Sequence, residues 1–311
     1  MSLQLGVHVG QQNMSMDAMR ALWRKLDQAK IDWISAWDHF YEAPPAGGTV
    51  DHFEAMTTLG ALAAETTHAR LGCLVFYVGY RNPASIAKAA ATLDHISGGR
   101  FELGLGAGWH EQEARAFGYD FPPVGKRLDM LDEATTIIKS MLRQERTTFH
   151  GKYYQVDDAA NLPQPVQKEL PIWIGGLGEK KTLKIVAKHA DGWNAAYTSV
   201  ENFTRLNKVL DNWCEKIERN PSSIKRSVNL TFNLATDAKG AEKELQNLRE
   251  SWGPVAARIE SGALLGTPVD AIERIRAYQA AGADQVNIAL RAPWNEAALD
   301  AYIGEVIPAL R

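Results

Sequence analysis

Strand-like and helix-like runs alternate from one end of this 311-residue chain to the other. Nothing else constrains the fold as strongly, because repeated strand–helix–strand crossovers build a parallel sheet. Eight runs read as strands: "LQLGVHV" (3–9), "WISAW" (33–37), "RLGCLVFYV" (70–78), "RFELGLGAG" (100–108), "IWIGG" (172–176), "GWNAA" (192–196), "RSVNLTFNLA" (226–235) and "QVNIAL" (285–290). Between the first two, Met19, Leu22, Trp23, Leu26 and Ala29 recur at helical spacing and form one apolar stripe. Further helices are expected near 53–66, 125–143, 179–190, 201–219 and 266–284, with a last one ending near Leu310. Asn82 before Pro83 starts a helix that Gly98 and Gly99 stop, and Thr267, Pro268 and Asp270 form a capping-box start. "TTFHGKYYQV" (147–156) reads as a hairpin about His150-Gly151, within an insertion spanning 144–171. Eight βα units predict a closed (β/α)8 TIM barrel, one domain over residues 1–311, with its chemistry on loops at the C-terminal strand ends. An open doubly wound sheet is the competitor, but "LQLGVHVGQQN" lacks the G-x-G-x-x-G expected after its first strand.

Composition narrows the function classes. With 45% hydrophobic and 23% charged residues the chain has material for a sizeable core. A formal net charge of -3 with mixed signs argues against a nucleic-acid partner gripped through the overall field. Cys73 and Cys214 have neither disulfide-framework nor metal spacing, which fits a reducing cytoplasm and no bound metal. The first residues lack a basic, apolar leader, and no run reaches a membrane span, so neither export nor membrane insertion is expected. HExxH, GxSxG and P-loop patterns do not occur.

"GLGAGWHEQE" (104–113) poses the sharpest local question. The sixth residue from Gly104 is Trp109, so the dinucleotide spacing fails. On a strand, Phe101, Leu103, Leu105 and Ala107 face one way and Gly104, Gly106 and Gly108 the other. A face without side chains admits either close packing of neighbouring structure or a flat ligand. Gly108 lies where the strand exits toward Trp109, His110 and Glu111, a position suited to function.

Other strand ends leave paired readings open. Asp38 and His39 follow the second strand; His39 suits general acid–base chemistry and Asp38 suits recognition of ring N–H groups, while a capping Asp beside a half-buried His is the plainer account. His8 alone reads as a packed wall residue. Gly175, Gly176 and Gly178 sit between a strand and a helix, where free N–H groups with Lys180 and Lys181 suit an anion; a tight βα turn explains them equally. Arg81 is either a site cation or a solvated loop residue. Loops 41–52 and 251–265 are expected to wall the pocket.

Together "WDHF", "LGCLVFYVGYRNP", "SGGRFELGLGAGWHEQE", "YDFPPVGKRLDMLDEA", "LPIWIGGLGEKKTLKIVAKHADGWNA" and "GTPVDAIERIRAYQAAGADQVNI" resemble the luciferase-like oxidoreductase superfamily, most closely its actinobacterial F420-dependent branch. The resemblance implies a barrel with an inserted segment, a homodimer, and hydride transfer between the deazaflavin F420 and a small-molecule substrate. It implies that Asp38 hydrogen-bonds the ring system and that His39 gives or takes a proton. It also implies a non-proline cis peptide at Leu74–Val75 bulging against the ring, with Ala107, Gly108 and Gln112 lining the cofactor. Gly175, Gly176, Gly178 and Glu179 would form its phosphate-side turn. In this picture the bare glycines of residues 104–108 lie where a ring comes close. Ala43 and Trp109 replace a tryptophan and a glutamate of the family's sugar-phosphate dehydrogenases, which argues against that activity. The alternatives are a monooxygenase using reduced FMN and oxygen, and a barrel that binds such a cofactor without turnover.

Overall fold

The computed structural model describes residues 2–42 and 47–311. Eight parallel strands close into a ring: β1 (Gln4–Val9), β2 (Trp33–Ala36), β3 (Arg70–Cys73), β4 (Phe101–Gly106), β5 (Ile172–Gly175), β6 (Gly192–Ala196), β7 (Lys225–Leu234) and β8 (Gln285–Leu290). Seven neighbouring pairs run in order from β1 to β8, and β8 pairing with β1 completes the circle. This is the (β/α)8 barrel expected from the alternation, and each of the eight runs forms one stave.

Period-two alternation sorts the side chains. Phe101, Leu103 and Leu105 of β4 enter the main core between strands and helices, with Leu5, Val7 and Val9 of β1. The other face of each strand points into the barrel, where a polar layer takes over. Asn194 donates to Asn229 at 2.9 Å, Asn287 donates to the same oxygen at 2.9 Å, and Gln285 donates to Asn287 at 2.8 Å. Buried amides are tolerated only when bonded, and here they bond to one another. Opposite them Trp33 and Trp173 pack against Leu74, and Glu102 accepts from Trp173 and Arg70.

The helix starts follow their sequence signals. Asn82 caps Pro83–Ser97, Gly98 ends it at φ 64°, and Thr267 with Asp270 forms the capping box of Pro268–Ala280. The hairpin strands are Arg146–His150 and Gln155–Ala160, so the turn is Gly151 to Tyr154 rather than His150-Gly151. The Glu133 carboxylate sets that turn, accepting from the main-chain N–H of Lys152, Tyr153 and Tyr154.

Two segments differ from expectation. Residues 251–265 do not form a loop: the helix Ala238–Trp252 runs into Ala256–Ser261, and Ala263–Gly266 adds a short strand beside β7. The apolar residues that fix this arrangement, Leu248, Ile259 and Ala263, form their own small cluster. The run 70–78 breaks into β3 and a two-residue strand, Phe76–Tyr77, at a cis Leu74–Val75 bond.

Candidate active site

β8, β1 and β2 lie side by side, with His8 in register with Ala289 on one flank and Ser35 on the other. His8 Nδ1 is 2.8 Å from Ser35 Oγ. Burial, then the charges of Arg291 and His39, lower its pKa to about 3, so its ring is neutral at physiological pH. His8 is a wall residue, as its sequence position suggested.

Just beyond β2, Gln11 holds the main chain of Trp37 from both sides, donating to Trp37 O at 2.7 Å and accepting from Trp37 N at 3.2 Å. Asp38 and His39, which follow, meet different partners. Asp38 Oδ2 accepts from Arg81 at 2.7 Å and from Tyr77 N at 3.0 Å, while Oδ1 is buried and meets no donor among the described residues. Burial raises the Asp38 pKa, and the Arg81 charge pulls against it. Burial also opposes the charge of Arg81, but pairing with Asp38 and Glu54 prevails and raises its pKa. Arg81 is therefore part of the site wall and not a solvated loop residue.

His39 Nδ1 lies 2.6 Å from Glu113 Oε1. Glu113 is only 1% exposed and also accepts from Tyr80 OH at 2.9 Å, Phe40 N at 3.0 Å and Tyr41 N at 3.2 Å. Burial acts to raise its pKa; the hydrogen bond and charge of His39, with the Phe40 and Tyr80 bonds, outweigh it and hold the carboxyl below its ordinary value. An ionised carboxylate only accepts, so Nδ1 is the donor and, in the neutral ring, Nε2 carries the lone pair. Trp109, 55% exposed, stands edge-on to the imidazole with centroids 5.1 Å apart.

Glu113 went unassigned in the sequence, although its neighbour Gln112 was singled out. The helix Glu111–Ala116, capped by His110, turns Glu113 inward and leaves Gln112 exposed. Gln112 is thus at the rim, near Gly47. The signal was present as two carboxylates just after the glycine strand, but its partner is 74 residues away.

Of the two readings left open for the bare glycines, close packing of neighbouring structure is the one seen at Gly104, Gly106 and Gly175. A Cβ at Gly106 would lie 2.4 Å from Val75, one at Gly104 2.0 Å from the Cys73 carbonyl, and one at Gly175 2.9 Å from Val75. The bulge at Leu74–Val75 fills that space, so the glycines of β4 and β5 make room for Val75, and any flat ligand there meets Val75 rather than bare backbone. Gly108 has φ 70°, and a Cβ there would press on the Tyr77 ring at 2.7 Å. Arg127 secures this exit by donating to Ala107 O at 3.0 Å.

The segment 74–77 joins the two sides of the mouth, bonding Asp38 through Tyr77 N and touching Gly106 and Gly175 through Val75. Asp38, His39, Leu74, Val75, Ala107, Gly108 and Gly175 are thereby brought together. Gly176 has φ 131° and donates its N–H to Asn194 O at 3.1 Å, Gly178 packs on Thr182, and both Gly178 and Glu179 are exposed. Glu179 pairs with Arg205 at 3.0 Å, and Lys181 pairs with Asp129 at 2.6 Å, which neutralises one of the two cations expected there. Ala43 lies outside the described residues. Among them no cluster of ligand-type side chains could hold a metal, and no helix is long and apolar enough to cross a membrane.

A family model described as luciferase-like monooxygenase matches residues 1–260. An uncharacterized protein of Mycobacterium tuberculosis is 33% identical over 156 residues, 50% of this chain and 54% of that one, so the chain matches about half the length of this relative. The F420-dependent glucose-6-phosphate dehydrogenase of Kineococcus radiotolerans is 31% identical over 243 residues, covering 76% of this chain and 68% of its own. Among solved structures, an F420-dependent secondary alcohol dehydrogenase in complex with an F420-acetone adduct superposes with a TM-score of 0.89 over 100% of both chains. At 20% identity that likeness concerns the fold.

Proposed function

Since the chain belongs to the luciferase-like monooxygenase family, we propose that it is an oxidoreductase using F420 to pass a hydride to or from a small organic substrate. The observation that carries this reading is the His39–Glu113 pair, set beside an acceptor on Asp38 that has nothing to accept. The Kineococcus relative supports the choice of coenzyme.

The residues present fit a deazaflavin. Asp38 Oδ1, buried without a donor, suits a ring N–H, because leaving such an oxygen unbonded costs roughly 1–3 kcal/mol. Val75 offers an apolar surface for a planar ring, with Ala107 and Gly108 beside it. The turn Gly175 to Glu179, which leads into the helix Thr182–His189, is assigned to the phosphate side. When bound, the coenzyme supplies a ring carbon that accepts or gives a hydride. His39 manages the accompanying proton: Nε2 takes it when a substrate alcohol is oxidised and returns it when a carbonyl is reduced. Glu113 accepts from Nδ1 and so keeps the imidazole in the tautomer that leaves Nε2 free to take the proton. Trp109 stands in the place of the sugar-phosphate dehydrogenases' glutamate, so glucose 6-phosphate is not the proposed substrate. The reading extends to a homodimer in the cytoplasm, where the buried, unpaired Cys73 and Cys214 stay reduced.

Titration with F420 and with FMN, followed by fluorescence, tests the coenzyme. Binding of F420 and not FMN is expected. Preference for FMN, with oxygen uptake once it is reduced, would instead assign a monooxygenase.

A further inference from the structure

Arg291 is the first residue past β8, and the Gly10 N–H bonded to Leu290 O at 2.9 Å seats it next to the end of β1. Three aromatic rings surround its guanidinium: its central carbon lies 4.8 Å from the ring centre of Trp252, 5.2 Å from Tyr197 and 5.5 Å from Trp37. Its one hydrogen-bond acceptor among the described residues is the Tyr197 hydroxyl, at 3.0 Å. No carboxylate among them lies within ion-pair distance, and its Nε is buried without a partner. Arg70, Arg81 and Arg226 by contrast each face an Asp or Glu, and Arg127 at the mouth spends its N–H groups on main-chain carbonyls.

Rings attract a cation with their faces but do not cancel its charge. A guanidinium in this setting keeps a full positive charge and an unused N–H, a state that costs free energy until an anion fills it. Its fork geometry matches an oxyanion with two adjacent oxygens. The placement is also informative. Trp37 adjoins Asp38 and His39 in the chain and makes an edge contact with His8 at 5.0 Å, and the charges of Arg291 and His39 both act on His8, so the two lie close to the same His8–Trp37 pair.

We propose that Arg291, held by Trp37, Tyr197 and Trp252, is the substrate-anchoring cation of the site, and that the substrate is an organic oxyanion, a carboxylate or phosphate ester, whose reacting end reaches His39. This rests on reading the barrel mouth as the active site. The same oxyanion chemistry is available from the coenzyme's own tail, so the test carries an arm for each source.

Trp37 and Trp252 report directly on Arg291, so tryptophan emission is followed while the full-length protein is titrated with benzoate and with its uncharged isostere benzamide. Benzoate is expected to bind saturably and at least tenfold more tightly than benzamide. Arg291→Gln should remove that preference, Arg291→Lys should keep part of it, and F420 affinity in both variants should stay within twofold of the parent. Equal binding of benzoate and benzamide by the parent protein overturns the proposal, and so does an unchanged preference in Arg291→Gln. Loss of F420 affinity in step with benzoate also overturns it, assigning the cation to the coenzyme. If Arg291→Gln fails to fold, the parent comparison and Arg291→Lys still decide. Failure of the parent to bind F420 would sink the function proposed above while leaving the benzoate result readable.

Discussion

His39 has two ring nitrogens, and the Glu113 carboxylate claims one of them at 2.6 Å. The division of labour gives different expectations for the two residues. His39→Ala should lower kcat by roughly 10²- to 10⁴-fold, the usual worth of a positioned proton carrier, with F420 affinity retained. Glu113→Gln removes only the group that orients the imidazole and should cost about 10- to 100-fold, the scale of losing a supporting hydrogen bond. Steady-state kinetics across pH separates the two, because a positioning role for Glu113 alters the shape of the kcat/KM profile and a merely structural one does not. Asp38 and His39 could be singled out from the sequence because adjacent polar residues at a strand end are conspicuous. Glu113 could not, since its meaning comes from four donors on segments distant in the chain. Gln112 came with the resemblance, and whether it or Glu113 turns inward is decided by one residue of helix phase, which composition does not carry for a six-residue helix.

At the scale of elements, glycines report on their neighbours. Gly106 faces Val75, and a methyl group there would intrude to 2.4 Å. Gly106→Ala should push Val75 out of position and weaken F420 binding at least tenfold, while circular dichroism shows an intact barrel. Gly60 sits mid-helix in Ala55–Glu65 with nothing within 4 Å of an added Cβ. Gly60→Ala should raise stability by about 0.5–1 kcal/mol, seen as a higher urea midpoint with unchanged activity. All eight staves were legible because each alternates or runs apolar between clear turn residues. The helix Ala238–Trp252 was not: Leu248 is its only buried residue, so it has scarcely any stripe to read. The glycine strand was legible as a strand and as a place of close approach, but not the segment that approaches, since that is a bulge on the adjacent strand.

For the whole molecule, acid sensitivity follows from histidines buried in neutral form. The pKa of His8 falls to about 3 through burial, then through Arg291 and His39, and that of His52 falls to about 4, chiefly through burial. An unfolded chain protonates these rings near the ordinary value of 6.5 and the native state does not. Their contribution is therefore complete above pH 6.5 and is lost progressively as pH falls toward 3. Urea midpoints should drop between pH 7.5 and pH 5, and His8→Gln should flatten that drop; an equal drop in the variant would show that other groups govern it.

The first stave is zipped between the second and the last, Gln4 to Val9 matching Gln285 to Leu290 residue for residue. The wall bearing His39 and the wall bearing Arg291 thus become neighbours only when β1 and β8, far apart in sequence, find each other. Synthesis delivers the proposed proton-handling pair of His39 and Glu113 long before β8, so on this reading the pocket they serve is walled only once the seam between β1 and β8 has formed.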